Sequence, residues 1–309
     1  METTIRQATI GNVTVYKSEP FDPVNSYFSS FIGRRNELRL ITASWISGAH
    51  KMPLNPILIG VPGIGKNRLV YEIAKKTSHK LFIFQGHEDV TAEELCVSVR
   101  FGKTSNTMDY ILSPLATAMI EGGICLLDEI GKCRPKALAL LVSVLDERRY
   151  IDSNLLGERI HAHPGFRFIA ATNTTDINLL PEFILSRMRP QINVGYPSKD
   201  EIDDILRREC DGLNSEVDDL IDLFWVMWRE HTGQLGSIAP RDALYLFGLA
   251  SRLSAIGETS EYAEHGNAIS GIADTFPDKG LHTGISRVHL EMAFHKLFTE
   301  PKLEIPIRI

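Results

Sequence analysis

The run Gly60-Val61-Pro62-Gly63-Ile64-Gly65-Lys66-Asn67-Arg68 places glycines before a lysine at the spacing a chain needs to hold a phosphate. Glycines let the backbone curl so that several N–H groups point inward at phosphate oxygens. The helix-like segment that leads out, Arg68 to Thr77, would add its positive dipole end, and the Lys66 ammonium would reach the terminal phosphates. The pattern G-x-x-x-x-G-K-[ST] fails only at its last place, where Asn67 stands instead of the hydroxyl that normally meets Mg²⁺. Further on, Asp128 and Glu129 are adjacent carboxylates after an apolar run. Asp128 is suited to hold Mg²⁺, directly or through water, and Glu129 to polarise the water that attacks a γ-phosphate. Alone, the pair is equally an acidic strand end before a turn, and it is the upstream phosphate loop that favours chemistry. Asn173 ends a third apolar run, where it can hydrogen-bond that water or the γ-phosphate, although asparagine also starts turns.

The elements that must position these groups are legible as short apolar runs: Ile57 to Ile59, Leu81 to Phe84, Ile124 to Leu127 and Phe166 to Ala171. Runs of this kind make buried parallel strands, and open parallel sheets bind ligands at the C-terminal ends of their strands. Helical spacing lies between them, in Leu38 to Ile46, Arg68 to Thr77, Leu115 to Ile120 and Ala137 to Leu145. Thr91 with Glu94 is a capping-box pair that predicts a helix running through Leu95 and Val97, before a polar insertion from Arg100 to Tyr110. Tyr150 to Asp152 and Arg159 to His161 flank Asn154 to Gly157 and predict a hairpin. Past Pro197 helical spacing dominates, and Gly257 to Gly284 reads as a long loop. The expected organisation is therefore an N-terminal extension (1–25) with one weak strand, an α/β core (26–197) whose parallel sheet is flanked by helices, and a smaller helical domain with a C-terminal tail (198–309).

With 309 residues, 43% of them hydrophobic and 23% charged, the chain has the composition of a soluble globular protein and the length for two packed units. No apolar run approaches a membrane span, and Met1 to Ile10 carries no apolar signal block, which predicts a cytoplasmic protein without a membrane partner. The net charge of −6 argues against a broadly basic nucleic-acid surface. Cys96, Cys125, Cys133 and Cys210 are too scattered for a metal or redox pair, and His87, His161 and His163 lack the cysteine or carboxylate spacing of a structural zinc site.

Together these residues resemble the AAA+ ATPases, within them the MoxR and dynein-related group. Gly60 to Asn67 is similar to the group's Walker A, Leu126-Leu127-Asp128-Glu129 to its Walker B, and Ala171-Thr172-Asn173 to its sensor 1. Gly86-His87-Glu88-Asp89-Val90-Thr91 and His161-Ala162-His163-Pro164 resemble the CbbQ/NorQ branch, whose members activate metalloenzymes with a von Willebrand factor A partner. The resemblance covers roughly residues 30 to 250. It implies an AAA+ P-loop core with a helical lid, ATP and Mg²⁺ as cofactors (metal at Asn67 and Asp128), and a ring oligomer, typically a hexamer. It further implies that Arg187 is an arginine finger reaching a neighbour's nucleotide and Arg241 is sensor 2 in the lid. Without it, each would be an ordinary helix-end arginine. An Arg suits both tasks because its planar, permanently charged fork pairs with phosphate oxygens as charge develops. Residues 97 to 112 and 150 to 162 resemble two insertions that project toward the ring's pore.

The expected function is an ATP-hydrolysing remodelling or chaperone machine acting on a protein client. A nucleic-acid motor or loader is the rival: the hairpin tip, Asp152 to Glu158, has no Lys or Arg with which to track a phosphate backbone, whereas Arg100 and Lys103 on the other insertion keep that rival open. Leu155 and Leu156 at the tip either grip a polypeptide or pack the hairpin down. Asn67 leaves two outcomes, slowed hydrolysis or a non-hydrolysing nucleotide-dependent scaffold. An amide oxygen is a legitimate Mg²⁺ ligand, and the presence of Glu129, Asn173 and Arg187 together favours hydrolysis.

Overall fold

The computed structural model describes residues 6–22, 31–48, 51–102, 107–209, 217–233, 237–257 and 285–299. The chain divides into two compact units, Met1–Tyr27 with Arg34–Gly195, and Phe28–Gly33 with Tyr196–Ile309.

The first unit is built on a five-stranded parallel sheet. Its strands are β3 (Ile57–Ile59), β4 (Leu81–Gln85), β7 (Ile124–Asp128), β10 (Arg167–Thr172) and β11 (Gln191–Asn193), in the order β11-β3-β10-β7-β4. These are the apolar runs of the sequence, and they are apolar on both faces because both faces are covered. Leu58, Leu81, Leu126, Leu127 and Ala170 are fully buried. Burying each such Leu contributes on the order of 1.5–3 kcal/mol, so the strand ends beside the phosphate loop rest on a fully buried apolar layer. Helices α1 (Arg35–Ser44), α2 (Lys66–Thr77) and α3 (Pro114–Glu121) flank the sheet. Pro135–Leu138 (α4) and Val142–Leu145 (α5), joined by a 3₁₀ turn, replace the single helix expected there, and α6 (Glu182–Leu185) follows β10.

A second, four-stranded sheet was not legible. β1 (Gln7–Ile10) and β2 (Val13–Tyr16) form a hairpin, and β2 pairs in parallel with β6 (Met108–Leu112), itself antiparallel to β5 (Val97–Phe101). The N-terminal extension thus joins the same sheet as the insertion. Glu121 pins it: the carboxylate meets Arg6, Lys17 (2.9 Å) and Lys80 (2.7 Å). Burial works against that charge, but hydrogen bonds from Lys80 and Lys17 and the Arg6 charge outweigh it and hold its pKa down at about 2.

The helix expected from Thr91 through Val97 does not form. The capping-box bonds are made, Thr91 N to Glu94 Oε2 at 2.9 Å and Glu94 N to Thr91 Oγ1 at 3.2 Å, yet only turns follow. Val97 and Val99 enter β5, where β-branched side chains and pairing to β6 outweigh a local helix start. The segment from Arg100 to Tyr110, expected as a polar insertion, carries the facing ends of β5 and β6. The expected hairpin is present as β8 (Tyr150–Ser153) and β9 (Glu158–His161). Leu156 at its tip is buried and Leu155 is exposed.

The second unit is helical: α7 (Lys199–Glu209), α8 (Val217–Thr232), α9 (Pro240–Gly257) and α10 (Arg287–Phe294). Leu206, Phe224, Leu246, Phe247 and Leu290 form its core. The buried Asp203 accepts from Trp225 Nε1 and from Lys199, each at 2.6 Å. The predicted loop from Gly257 to Gly284 falls almost wholly outside the described residues. No described helix is long and apolar enough to cross a membrane.

Candidate nucleotide site

β3 delivers the chain to the phosphate loop and α2 takes it away, which is the strand, loop and helix order that the motif needs. Gly65 caps α2 with φ 98°, a left-handed conformation that a side chain would strain. Gly60 lies so close to β11's continuation that a Cβ would sit 2.6 Å from Val194 O. Lys66 is buried, and its ammonium donates to Gly60 O (2.7 Å), Val61 O (3.1 Å) and Asn173 Oδ1 (3.0 Å). Three hydrogens meet three acceptors, so Lys66 is held within the loop whose amides would cradle a phosphate. Val61, Pro62, Gly63 and Ile64 complete that loop, and Arg68 lies in the first turn of α2.

Strand order brings the other groups in. β10 lies between β3 and β7, so Asn173, just past β10, stands between the loop and the acidic pair at the end of β7. Asn173 Nδ2 donates to Asp176 Oδ2 at 3.3 Å, linking Lys66 to Asp176 through one amide. Asp128 Oδ1 accepts from Glu129 N at 2.9 Å and Oδ2 from Asn67 Nδ2 at 2.5 Å. A carboxylate can only accept, so Asn67 must turn its amino group, not its oxygen, toward Asp128. Tyr71, one turn further along α2, is in hydrogen-bonding contact with the Asn67 side chain, and its phenol pKa is raised by burial and by the Asp128 charge. Asp128's oxygens keep a second lone pair each, and carboxylate and amide oxygens are both hard donors. The pair therefore fits a hard divalent cation, with Asn67 taking part only through Oδ1.

Glu129 adopts φ 53° and opens the 3₁₀ turn Ile130–Lys132. That turn brings the Lys132 ammonium onto Glu129 Oε2. The Lys132 pKa is raised, first by the hydrogen bond to Glu129, then by its charge and those of Asp176 and Asp128.

Arg187 lies elsewhere. The buried Asn55, just ahead of β3, donates to Leu145 O (2.7 Å) and Arg187 O (3.3 Å), and Ile57 N donates to Pro190 O (3.1 Å). Arg187 therefore sits at the N-terminal rim of the sheet, opposite the phosphate loop. Its Nη1 donates to Phe183 O at 2.8 Å, while its Nε is buried, makes no hydrogen bond and lies 3.8 Å from Asp146 Oδ2. Asp146 is also gripped by Arg148, with Nη2 to Oδ2 at 2.7 Å, and that hydrogen bond lowers the Asp146 pKa. Arg241 belongs to the other unit, exposed in the first turn of α9. No cluster of His, Cys, Asp and Glu that could hold a metal occurs among the described residues.

Tyr71, Lys132, Asp146 and Asp176 were not singled out from the sequence. Tyr71 is four residues after Asn67 and Lys132 three after Glu129, so spacing was the one signal available. Asp146 becomes visible only through its partners.

A parallel sheet ordered in this way, with a glycine loop, an acidic strand end and a polar strand end at one rim, is the AAA+ P-loop fold. The RuvB Holliday junction branch migration motor of Thermotoga maritima superposes with a TM-score of 0.50, and a mutant of it with 0.53. Each is 15% identical and spans 86% of this chain and 70% of its own, a likeness of fold. Residues 55–188 match the family described as AAA domain (dynein-related subfamily). The denitrification regulatory protein NirQ of Stutzerimonas stutzeri is 32% identical over 145 residues, 47% of this chain and 50% of NirQ. Protein NorQ of Paracoccus denitrificans is 32% identical over 136 residues, 43% of this chain and 48% of NorQ. The matches thus span about half the length of these curated relatives.

Proposed function

We propose that this protein is an ATP-hydrolysing AAA+ ATPase of the MoxR type, active in the cytoplasm as a ring oligomer that remodels a protein client. The observation that carries the reading is the convergence of Lys66, Asp128, Glu129 and Asn173 on the rim where the phosphate loop opens. In this reading the loop amides and α2's N-terminus bind the phosphates of ATP, and Lys66 exchanges the carbonyls of Gly60 and Val61 for phosphate oxygens. Asp128 and Asn67 would hold Mg²⁺, which neutralises charge on the phosphates when bound. Glu129 accepts the proton of the attacking water, and Asn173 orients that water or the γ-phosphate. Arg187 stabilises the charge that develops on a neighbouring subunit's nucleotide, and Arg241 reports the γ-phosphate to the helical unit.

A protein client is favoured over nucleic acid by the pairing of Arg100 and Arg159 on the two insertions, Lys103 lying outside the described residues. Arg159 on the hairpin is bound to Asp152 (2.7 Å), and Arg100 to Asp109 (3.3 Å). The resemblance of Gly86 to Thr91 and His161 to Pro164 to the CbbQ/NorQ branch adds a von Willebrand factor A partner to the proposal.

Steady-state phosphate release tests the reading, with wild type beside Asn67→Thr and Glu129→Gln. Loss of the base should slow hydrolysis by about 10²–10⁴ with nucleotide still bound, and Asn67→Thr should speed it a few-fold. A wild type no faster than Glu129→Gln would leave a nucleotide-bound scaffold in place of an ATPase.

A further inference from the structure

Asp176 is accounted for neither by the phosphate-loop pattern nor by the roles above, yet it holds the group that stands between the loop and the acidic pair. Asn173 Nδ2 donates to Asp176 Oδ2 at 3.3 Å, and Asp176 N donates back to Asn173 O at 3.1 Å. The other carboxylate oxygen accepts from Thr175 Oγ1 at 2.8 Å. Packing fixes Asp176 as well. A Cβ on Gly131, in the turn that follows Glu129, would sit 2.7 Å from Asp176 Cβ and 2.8 Å from Asp176 O, so only a glycine lets the two segments approach this closely. On its other side, Asn173 Oδ1 accepts from the Lys66 ammonium at 3.0 Å. An ammonium can only donate and a carboxylate can only accept, so one orientation of the amide satisfies both partners, with oxygen toward Lys66 and nitrogen toward Asp176. Turned about, it would set N–H against N–H and oxygen against oxygen.

We propose that Asp176 is a positioning residue for Asn173. By holding the amide nitrogen it presents the oxygen to the phosphate loop, and Asn173 then serves hydrolysis as an acceptor for a hydrogen of the attacking water, not as a donor to the γ-phosphate. This rests on the nucleotide-site reading above and decides between the two roles that reading leaves to Asn173. An ionised phosphate oxygen offers only lone pairs, so an acceptor facing it is repelled, whereas water supplies a hydrogen that Oδ1 can take. Asp176 acts through Asn173 and touches neither nucleotide nor water.

The test uses the full chain with Mg²⁺ and compares wild type, Asn173→Ala, Asp176→Ala, Asp176→Asn, Glu129→Gln and the double variant Asn173→Ala/Asp176→Ala. Phosphate release gives kcat and KM, and competition against a fluorescent ADP analogue gives Kd for ADP and for a non-hydrolysable ATP analogue. Loss of the amide should lower kcat by about 10²-fold and loss of the carboxylate by about tenfold, because Asn173 is then present but free to turn. Asp176→Asn keeps an oxygen that accepts and should retain more of kcat than Asp176→Ala. The double variant should be no slower than Asn173→Ala, the pattern of a residue that acts through its neighbour. The preference for the ATP analogue over ADP should stay at the wild-type ratio in Asn173→Ala and in both Asp176 variants. A merely structural Asp176 would weaken both affinities and slow the double variant further, and either result overturns the proposal. So does a wild-type kcat in Asp176→Ala, and so does a lost preference for the ATP analogue, which would make the amide a donor to the γ-phosphate. Where Asp176→Ala fails to fold, Asp176→Asn, alone and combined with Asn173→Ala, carries the same comparison. A wild type no faster than Glu129→Gln would instead end the hydrolysis reading, a result distinct from an active wild type that Asp176→Ala leaves at full speed.

Discussion

The two rims of the parallel sheet carry opposite kinds of polar group. At the C-terminal rim, Lys66 bonds to Asn173, Asn67 to Asp128 and Glu129 to Lys132, so each of these side chains already has a partner. At the N-terminal rim, Arg187 is held by Asp146 and Phe183 O, with its Nε buried and unbonded. Asn55 and Gly60 mark the two rims on either side of β3, and the five extended steps from one to the other span about 16 Å. That is beyond the reach of an arginine side chain, so a guanidinium at one rim cannot serve a phosphate at the other within one subunit. Under the proposed function, the difference would put one half of a shared site on each rim, complementary if one copy's N-terminal rim meets another's C-terminal rim.

The sharpest way to break this comparison is Arg187→Ala. Removal of an arginine finger costs about 10³–10⁵ in turnover, so phosphate release should fall by at least that lower figure while Kd for nucleotide is unchanged. A parallel loss of affinity would place Arg187 in its own subunit's site. Lys66→Ala should show the reverse split: nucleotide affinity falls about 10- to 150-fold, as for loss of a charge-assisted hydrogen bond, read by titration with a fluorescent nucleotide. Asp146→Asn should act through Arg187 and lower turnover by about tenfold with Kd intact, since a misplaced group costs less than an absent one. An unchanged kcat would mean that Asp146 serves Arg148 alone.

The smallest effect concerns neither rim but the strands added beside the core. The pKa of Glu121 in the folded chain, about 2, lies below its ordinary value of 4.5. Its stabilising contribution is therefore complete above about pH 4.5 and is lost as pH falls toward 2. Thermal melts over that window should show a steeper acid loss for wild type than for Glu121→Gln, and equal slopes would remove Glu121 from the account of how β1 and β2 are held.

The C-terminal rim was readable in the sequence because its chemistry is local. A glycine loop between an apolar strand and a helix, and two carboxylates or an amide at the end of an apolar run, need no knowledge of distant contacts. The capping box at Thr91 shows the limit of such reading, since its bonds form and the helix does not, pairing of Val97 and Val99 with β6 having decided otherwise. The second sheet was missed for the same reason, because β2 and β6 are parallel partners far apart in the chain. Asn55 and Asp146, which fix the N-terminal rim, carry no pattern of their own and gain meaning only through Leu145, Arg148 and Arg187.

The most direct test mixes two inactive proteins. Lys66→Ala keeps Arg187 but, at an ATP concentration well below its weakened Kd, is left largely without nucleotide, and Arg187→Ala holds nucleotide but lacks the guanidinium. When the two are mixed with ATP and Mg²⁺, interfaces pairing an intact Lys66 with an intact Arg187 should form, and phosphate release should rise well above the sum of the separate rates. Activity that stays at that sum, in a mixture shown by sedimentation to co-assemble, would contradict a site shared between two copies.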